Sequence, residues 1–207
     1  EKWKSLLTNV NKTGLSPDSQ RGLFGELYLL RKFLNNSINL TEAIVWWVGA
    51  EKEVRDFQSG NWAIEVKTSH GNNHQKVMIS SERQLDNSNL ENLYLYHISL
   101  EKLNNSDETL NQIIDSIKSI LSSQTVAFNK FLIKIFEAGY LDIHRELYDS
   151  VGYQIRGENY YKVENDFPRI CERDIPMGVG DIKYSIIMSQ CDNYIIEENL
   201  VFNTIIG

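Results

Sequence analysis

Apolar residues recur along the chain with two spacings, one helical and one extended. Between residues 17 and 35 a leucine returns every three or four positions, and isoleucines do the same over 107–121. This spacing places the apolar side chains on one face of an α-helix. A further helix is predicted over 126–138, where Gly139 is typical of a helix end.

Shorter runs of branched and aromatic residues predict β-strands separated by turn residues. The predicted strands cover residues 44–48, 53–57, 62–67, 76–79, 93–100, 153–163 and 182–188. Residues 80–85 are predicted to form a short capped helix. This order predicts an α/β protein in which a helix, a mixed sheet of three to five strands and another helix precede a helical and β-rich C-terminal extension. We place the core in 1–103 and treat 104–207 as a continuation of the same domain.

The hairpin predicted around a Ser-Gly turn carries the residues with the most chemistry. Alternate side chains of its second strand are apolar and are predicted to face the core: Trp62, Ile64 and Val66. Glu65 and Lys67 then face the other side. In a register that pairs Phe57 with Trp62, Asp56 lies diagonal to Glu65 on the same face. A shift of one residue in this register would put the two carboxylates on opposite faces.

Two neighbouring carboxylates repel each other, and one takes up a proton unless a cation keeps both ionised. A small set of oxygen ligands suits Mg²⁺, which keeps several waters and accepts phosphate oxygens. Such an ion polarises a phosphoryl oxygen and acidifies a bound water, while an adjacent ammonium stabilises developing charge. Asp56, Glu65 and Lys67 are therefore a minimal set for metal-dependent phosphodiester hydrolysis. Glu26, at the border of the first leucine stripe, is a further acid able to face this part of the sheet.

The spacing of an acid two residues before a lysine is not specific by itself. The chain holds two such triplets, Glu65-Val66-Lys67 and Asp181-Ile182-Lys183, and about two are expected by chance in this composition. Glu65 sits in the middle of a predicted strand, whereas Asp181 follows a glycine at a strand start, where turn aspartates are common. The context therefore favours the first triplet.

These residues resemble the motif of the PD-(D/E)XK phosphodiesterase superfamily. Glu26 stands in a Gly-x-x-Gly-Glu helix, Asp56 precedes the turn, and Glu65-Val66-Lys67 follows it. The chain is most similar to an uncharacterised bacterial family of PD-(D/E)XK motif proteins that is often encoded among phage-defence and restriction genes. Later landmarks of that family are also present: Gln84-Leu85, Phe167-Pro168-Arg169-Ile170 and Gly180-Asp181-Ile182-Lys183-Tyr184. The nuclease-like part covers about residues 16–103, and the family likeness covers most of the chain.

The resemblance implies a restriction-endonuclease-like core and a role for each motif residue. Asp56 and Glu65 would be ligands of Mg²⁺, for which Mn²⁺ could substitute, and Glu26 would assist through a water or a second ion. Lys67 would orient the attacking water or stabilise charge, and Gln84 would point into the site. One departure from the motif is Arg55, which stands where many members carry proline before the aspartate.

The composition adds limits on location. No apolar run approaches the roughly 18 residues of a membrane span, and the N-terminus is not a signal peptide, so a cytoplasmic protein without membrane contact is expected. The missing initial Met indicates a piece of a longer protein. Residues 101–207 carry the whole net charge of −7, which argues against tight non-specific binding of nucleic acid.

The resemblance implies DNA as the partner, with a groove rimmed by Thr68, Ser69, His70, Lys76 and Arg83. A defence-system protein such as an ATPase and a homodimer are further expected partners, the latter only if the stripe of 107–121 stays exposed. Two alternatives to a nuclease remain open. The first is a catalytically silent module of the same fold, which would bind DNA or a protein. The second is a structural domain in which Lys67 simply pairs with an acid.

Overall fold

A long first helix crosses one face of a mixed β-sheet, and a smaller two-stranded sheet covers the other face. A computed structural model describes residues 14–36, 39–71, 76–104 and 106–206. The α-helices are α1 (Pro17–Asn36), α2 (Leu40–Trp46), α3 (Leu110–Leu121), α4 (Thr125–Glu137) and α5 (Glu198–Ile206). The strands are β1 (Phe57–Ser59), β2 (Trp62–His70), β3 (Lys76–Ile79), β4 (Asn92–Asn104), β5 (Glu108–Thr109), β6 (Val151–Lys162), β7 (Tyr184–Ile187) and β8 (Ile195–Ile196).

The main sheet has the order β1-β2-β4-β6-β5, and β8 pairs with β6. Strands β2 and β4 run parallel, whereas the other pairs are antiparallel. This α/β architecture, with a helix before a mixed sheet, is the restriction-endonuclease-like core that was predicted. The sheet has six strands rather than three to five because β6, which was assigned to the C-terminal extension, joins β4 and carries two short strands.

Strand β2 is buried on both faces, which fixes the surroundings of its polar residues. On one face the predicted core residues Trp62, Ile64 and Val66 point into the first core, where Trp62 contacts Phe33 of α1 and Trp46 of α2. On the other face Ala63, together with Leu93 and Leu95 of β4, packs under the β3–β7 sheet. The stripe of α3 lies inside the first core, so the predicted homodimer has no support from this helix. Within the described residues, no helix is long and apolar enough to cross a membrane.

The strand predicted over 44–48 is wrong, because residues Leu40–Trp46 form the helix α2. The Asn39 side chain accepts a hydrogen bond from the Glu42 amide and caps the helix, which favours this start. Ala43, Ile44 and Trp46 are buried whereas Val45 is exposed, as expected for one helical turn. A short apolar run does not distinguish a strand from a buried helix by periodicity.

The predicted hairpin exists, but its register differs from the prediction by two positions. Phe57 pairs with Ile64 and Ser59 pairs with Trp62, so the turn lies at Gly60 and Asn61. The first strand is Phe57–Ser59, and residues 53–56 precede it. Because side chains alternate with a period of two, a two-residue shift keeps every side chain on its predicted face. Asp56 therefore still reaches the face of Glu65.

The short helix predicted over 80–85 is also wrong, since residues 82–85 form turns. Two backbone hydrogen bonds join residues three positions apart. The amide of Gln84 donates to the carbonyl of Ser81, and the amide of Asp86 donates to the carbonyl of Arg83. Carbonyls that would continue a helix instead accept hydrogen bonds from arginine side chains. Side-chain donors from distant parts of the chain thus end the helical geometry after one turn.

The other predicted elements are present with shifted ends. The helices of 107–121 and 126–138 begin at Leu110 and Thr125, and Thr109 caps the first of them with a capping box. Gly139, with φ of 89°, follows the second as predicted. The segment predicted as strands around Gly157 is the single strand β6, whose register against β4 shifts beside Ser99.

Helix α1 approaches β2 at Gly25. A Cβ atom at Gly25 would lie 2.4 Å from Cγ2 of Thr68, whereas a Cβ atom at Gly22 would meet nothing within 4 Å. The Gly-x-x-Gly-Glu sequence therefore needs its second glycine for helix–strand contact, and this contact places the next residue, Glu26, beside the sheet.

We expect Gly25→Ala to lower the free energy of unfolding by about 1–3 kcal/mol, because the new methyl group overlaps Thr68. Gly22→Ala is the matched control and should raise it by up to about 1 kcal/mol through helix propensity alone. Thr68→Ser removes the overlapping methyl group and should restore most of the loss in Gly25→Ala. Urea unfolding measures all four proteins, and equal effects of the two glycine substitutions would contradict this packing.

Candidate active site

Glu65 and Lys67 lie side by side on β2, on the face away from α1. The Nζ atom of Lys67 lies 2.6 Å from Oε1 of Glu65, and the Glu65 side chain is only 1% exposed. Asp56, just before β1, accepts a hydrogen bond of 2.7 Å through Oδ2 from the amide of Val66. The hairpin therefore brings the three predicted residues together, and a backbone donor between Glu65 and Lys67 orients the Asp56 carboxylate.

The main chain of Asp56 also fixes the segment that follows α2. Its carbonyl accepts 2.9 Å hydrogen bonds from the amides of both Val48 and Gly49. A Cβ atom at Gly49 would lie 2.7 Å from Oδ1 of Asp56 and 3.0 Å from Oε2 of Glu26. The two carboxylate oxygens thus lie within 3.0 Å of one point, and the missing side chain of Gly49 leaves that point free.

Glu26 enters the site from α1 and is held there by Trp47. The indole Nε1 of Trp47 donates a 2.7 Å hydrogen bond to Oε2 of Glu26. Sequence reasoning missed both Trp47 and Gly49 as site residues. Trp47 lies in a short apolar run and Gly49 directly follows that run, and neither position has a local pattern that indicates a contact with Glu26 or Asp56.

Gln84 reaches the site from the turn of residues 82–85. Its Oε1 accepts hydrogen bonds from the amide of Ser80 at 2.8 Å and from Nζ of Lys67 at 3.3 Å. Two donors converge on this atom, which identifies it as the amide oxygen. All five predicted site residues therefore surround one place, although Gln84 comes from a turn rather than a helix.

Burial raises the pKa of each of the three carboxyl groups, and the charge of Asp56 also raises the pKa of Glu65 and of Glu26. Burial and then the charge of Asp56 raise the pKa of Glu65 to about 8, although Lys67 acts to lower it. Burial likewise raises the pKa of Asp56, and burial with the Asp56 charge raises the pKa of Glu26 well above its usual range. Without another cation, this cluster binds protons at neutral pH.

Lys67 is the cation inside this cluster. Burial alone would lower the pKa of Lys67, but the charges of Glu65 and Asp56 outweigh it and raise the pKa above its ordinary value. Lys67 is therefore an ammonium at neutral pH, so it can donate hydrogen bonds and offset negative charge but cannot act as a base.

The donor set fits a small divalent cation. As the side chains stand, no group of three or more His, Cys, Asp or Glu in the described part of the chain is arranged around an ion. However, Oε2 of Glu65 is buried without a hydrogen-bond partner, and oxygens of Glu26 and Asp56 converge in front of Gly49. Carboxylate oxygens in this number are the ligands that Mg²⁺ prefers. A cation here would favour the ionised form of these buried carboxyl groups and so lower their raised pKa values.

The site opens to solvent beside Glu26. A cavity of about 220 Å³ is lined there by Glu26, Gly49 and the exposed Lys52, together with residues of α1 and the end of α4. The face of β2 that bears Glu65 and Lys67 packs against the second core. The cavity beside Glu26 opens on the side of α1 and the 49–52 turn.

The residues predicted to rim a DNA groove differ in exposure. His70, Lys76 and Arg83 are exposed, but Ser69 is buried and its hydroxyl lies 2.8 Å from Nε2 of His97. Ser69 is buried because it shares the face of Lys67, which β3 and β7 cover. Thr68 accepts a hydrogen bond from Arg21.

The second acid-x-Lys triplet, Asp181-Ile182-Lys183, lies outside the strands. Asp181 is exposed and has a φ of 54°, and β7 begins only at Tyr184.

A helix that carries a glutamate, a hairpin with an aspartate and Glu-x-Lys, and a mixed sheet define the PD-(D/E)XK class of restriction-endonuclease-like proteins. Residues 1–189 match the family model described as "Putative PD-(D/E)XK family member, (DUF4420)", and the chain belongs to this family. No curated protein and no solved structure matches the chain.

The raised pKa of Glu65 predicts how stability depends on pH without metal. Between its ordinary value of 4.5 and about 8, the folded state retains a proton that the unfolded state releases. The free energy of unfolding should therefore fall as pH rises through this range. We expect a steeper fall between pH 5 and pH 8 in wild type than in Glu65→Gln, measured by urea unfolding in a chelator.

Divalent ions should act in the opposite direction, because they bind the ionised carboxylates. Saturating Mg²⁺ should raise the wild-type free energy of unfolding more at pH 8 than at pH 5. Equal pH slopes in wild type and Glu65→Gln would contradict the raised pKa.

Proposed function

We propose that the protein is a metal-dependent endonuclease that hydrolyses phosphodiester bonds in DNA. The observation that carries the proposal is the convergence of three carboxyl groups from α1, the β1 approach and β2 around one protonated lysine. Burying three acids with one base is unfavourable for folding. A divalent cation bound by the carboxylates would offset their charge and would also bind a phosphate oxygen of the substrate. The nuclease-like family to which the chain belongs supports the same chemistry.

Each residue has a defined part in this proposal. Asp56, Glu65 and Glu26 would hold Mg²⁺, or Mn²⁺ in its place, and the ion would supply Lewis acidity toward a phosphoryl oxygen and a bound water. The Lys67 ammonium donates a hydrogen bond to a phosphoryl oxygen and offsets the negative charge that develops on it. Gln84 holds Lys67 in place through Oε1. Asp56, in turn, is oriented by the amide of Val66.

The proposed setting is restriction or phage defence in the bacterial cytoplasm, with DNA as the substrate and a defence-system ATPase as a candidate partner. It rests on the family resemblance and on the chemistry of the site. The cavity beside Glu26 is lined by the exposed Lys52, whose charge suits a phosphate of the DNA backbone, and by Glu137, whose charge opposes one. Recognition of a particular DNA sequence would need further contacts.

A second candidate is a catalytically silent module of the same fold. The direct 2.6 Å pairing of Lys67 with Glu65 favours it, because this ion pair occupies one oxygen of a proposed metal ligand. The acidic half of the chain would then suit a protein partner with basic patches. This candidate predicts binding without metal-dependent cleavage.

The second acid-x-Lys triplet, Asp181-Ile182-Lys183, is a control for the residues of the first triplet and Asp56 in a DNA cleavage assay. Asp56→Asn and Lys67→Gln should each lower the rate of Mg²⁺- or Mn²⁺-dependent cleavage of plasmid DNA by about 10²-fold or more, since each removes a charged group from the reaction. Asp181→Asn and Lys183→Gln make the same chemical changes at exposed residues outside the carboxylate cluster and should cleave at the wild-type rate.

The outcomes separate the candidates. Wild type that binds Mn²⁺ through Asp56 but cleaves no DNA would favour the silent module. Wild type that neither binds a divalent ion nor cleaves would leave the buried charges as a structural ion pair. Equal losses in both triplets would show that the first one has no special role.

Gly49→Ala tests the metal position separately. Its methyl group would enter the space between Asp56 and Glu26, so Mn²⁺ affinity should fall at least about tenfold while the fold is retained. Gly22 lines the same cavity, and a Cβ atom there would meet nothing within 4 Å, so Gly22→Ala is the control and should bind Mn²⁺ as wild type does. Calorimetric titration with Mn²⁺ measures both variants, and unchanged affinity in Gly49→Ala would place the ion elsewhere.

A further inference from the structure

Arg55, the residue directly before Asp56, binds the turn that bears Gln84. Its Nε donates a 3.2 Å hydrogen bond to the carbonyl of Gln84, and its second terminal nitrogen donates one of 3.2 Å to Arg83. The same nitrogen also contacts the carbonyl of Asp86. A single half-buried guanidinium thus holds three carbonyls of one turn.

This contact links two parts of the proposed site. Arg55 directly precedes Asp56, whose carboxylate is fixed by Val66. The turn that Arg55 holds carries Gln84, whose Oε1 accepts hydrogen bonds from Ser80 and Lys67. The same short segment therefore positions an acid on one side of Lys67 and an amide on the other.

The turn does not depend on Arg55 alone. Arg169 approaches the same turn from the C-terminal half and donates to the carbonyl of Leu85 at 2.7 Å and to Oδ1 of Asn87 at 3.0 Å. The turn thus has two arginine anchors, of which only Arg55 adjoins a site residue. Arg169 is consequently a matched control, since it has the same chemistry and a similar number of contacts.

We propose that Arg55 is a positioning residue that sets the Gln84 amide against Lys67 by binding three carbonyls of the 83–86 turn. The planar guanidinium offers donors in a fixed fork, which a lysine ammonium on a flexible stem does not reproduce. In Arg55→Lys the positive charge stays, whereas the geometry of the turn is released. The inference rests on the proposed function only for its effect on cleavage.

Hydrogen exchange of the Ser80 amide measures whether Gln84 is in place, and this measurement does not require the protein to cleave DNA. Ser80 is exposed, and its amide donates to Oε1 of Gln84. Hydrogen exchange measured by NMR should show faster exchange of this amide in Arg55→Lys, close to the rate in Gln84→Ala. Exchange in Arg169→Lys should stay at the wild-type rate. Unchanged Ser80 exchange in Arg55→Lys would overturn the inference, whether or not the protein cleaves DNA.

A double-mutant cycle on cleavage tests the same link through function. Arg55→Lys and Gln84→Ala should each lower the cleavage rate about tenfold, and the double variant should be no slower than either. Multiplying effects would mean that Arg55 acts independently of Gln84 and would overturn the inference. If Arg55→Lys fails to fold where Arg169→Lys folds, Arg55 is a folding residue and the inference also fails. Inactive wild type would reject the proposed function alone, because the exchange result still decides the role of Arg55.

Discussion

The gathering of three acidic side chains and one lysine beside two apolar cores, at a site that opens to solvent beside Glu26, is the constraint around which this fold is arranged. Moving a carboxylate out of water costs several kcal/mol, and the single pairing with Lys67 does not neutralise the other two groups. The unpartnered oxygen of Glu65 and the raised carboxyl pKa values are the direct signs of this imbalance. The two hydrophobic cores on either side of β2 supply the stability that permits it.

The acids approach one another because side chains are missing at two places. Gly25 lets α1 come close enough to β2 for Glu26 to reach the sheet, and Gly49 leaves space between Glu26 and Asp56. Backbone groups then do the orienting: the amide of Val66 holds the carboxylate of Asp56, and the carbonyl of Asp56 holds the 48–49 segment. The acids therefore keep their positions while repelling one another, which is what preorganisation of a cation site requires.

Sequence reasoning predicted the faces of the site better than its details. The register error of two residues left Asp56 and Glu65 on one face, because parity and not register decides the face of a strand. The resemblance places Gln84 in the site on a short helix, and this helix does not form because Arg55 and Arg169 bind the carbonyls of that turn. Trp47 and Gly49 escaped detection because their roles depend on contacts with α1 and with Asp56, which no local pattern encodes. The strand predicted at 44–48 failed because an apolar run without alternation has no preferred period.

The acidic half of the chain completes the site rather than adding to it from outside. Strand β6 pairs along most of β4, and β4 is the parallel neighbour of the strand that carries Glu65 and Lys67. Strand β7 pairs with β3, and together they cover the face from which those side chains project. Without these strands Glu65 would be exposed, its carboxylate would be hydrated and its pKa would return toward the ordinary value. The electrostatic character of the motif is therefore a property of the whole fold, and the Glu-x-Lys sequence alone does not supply it.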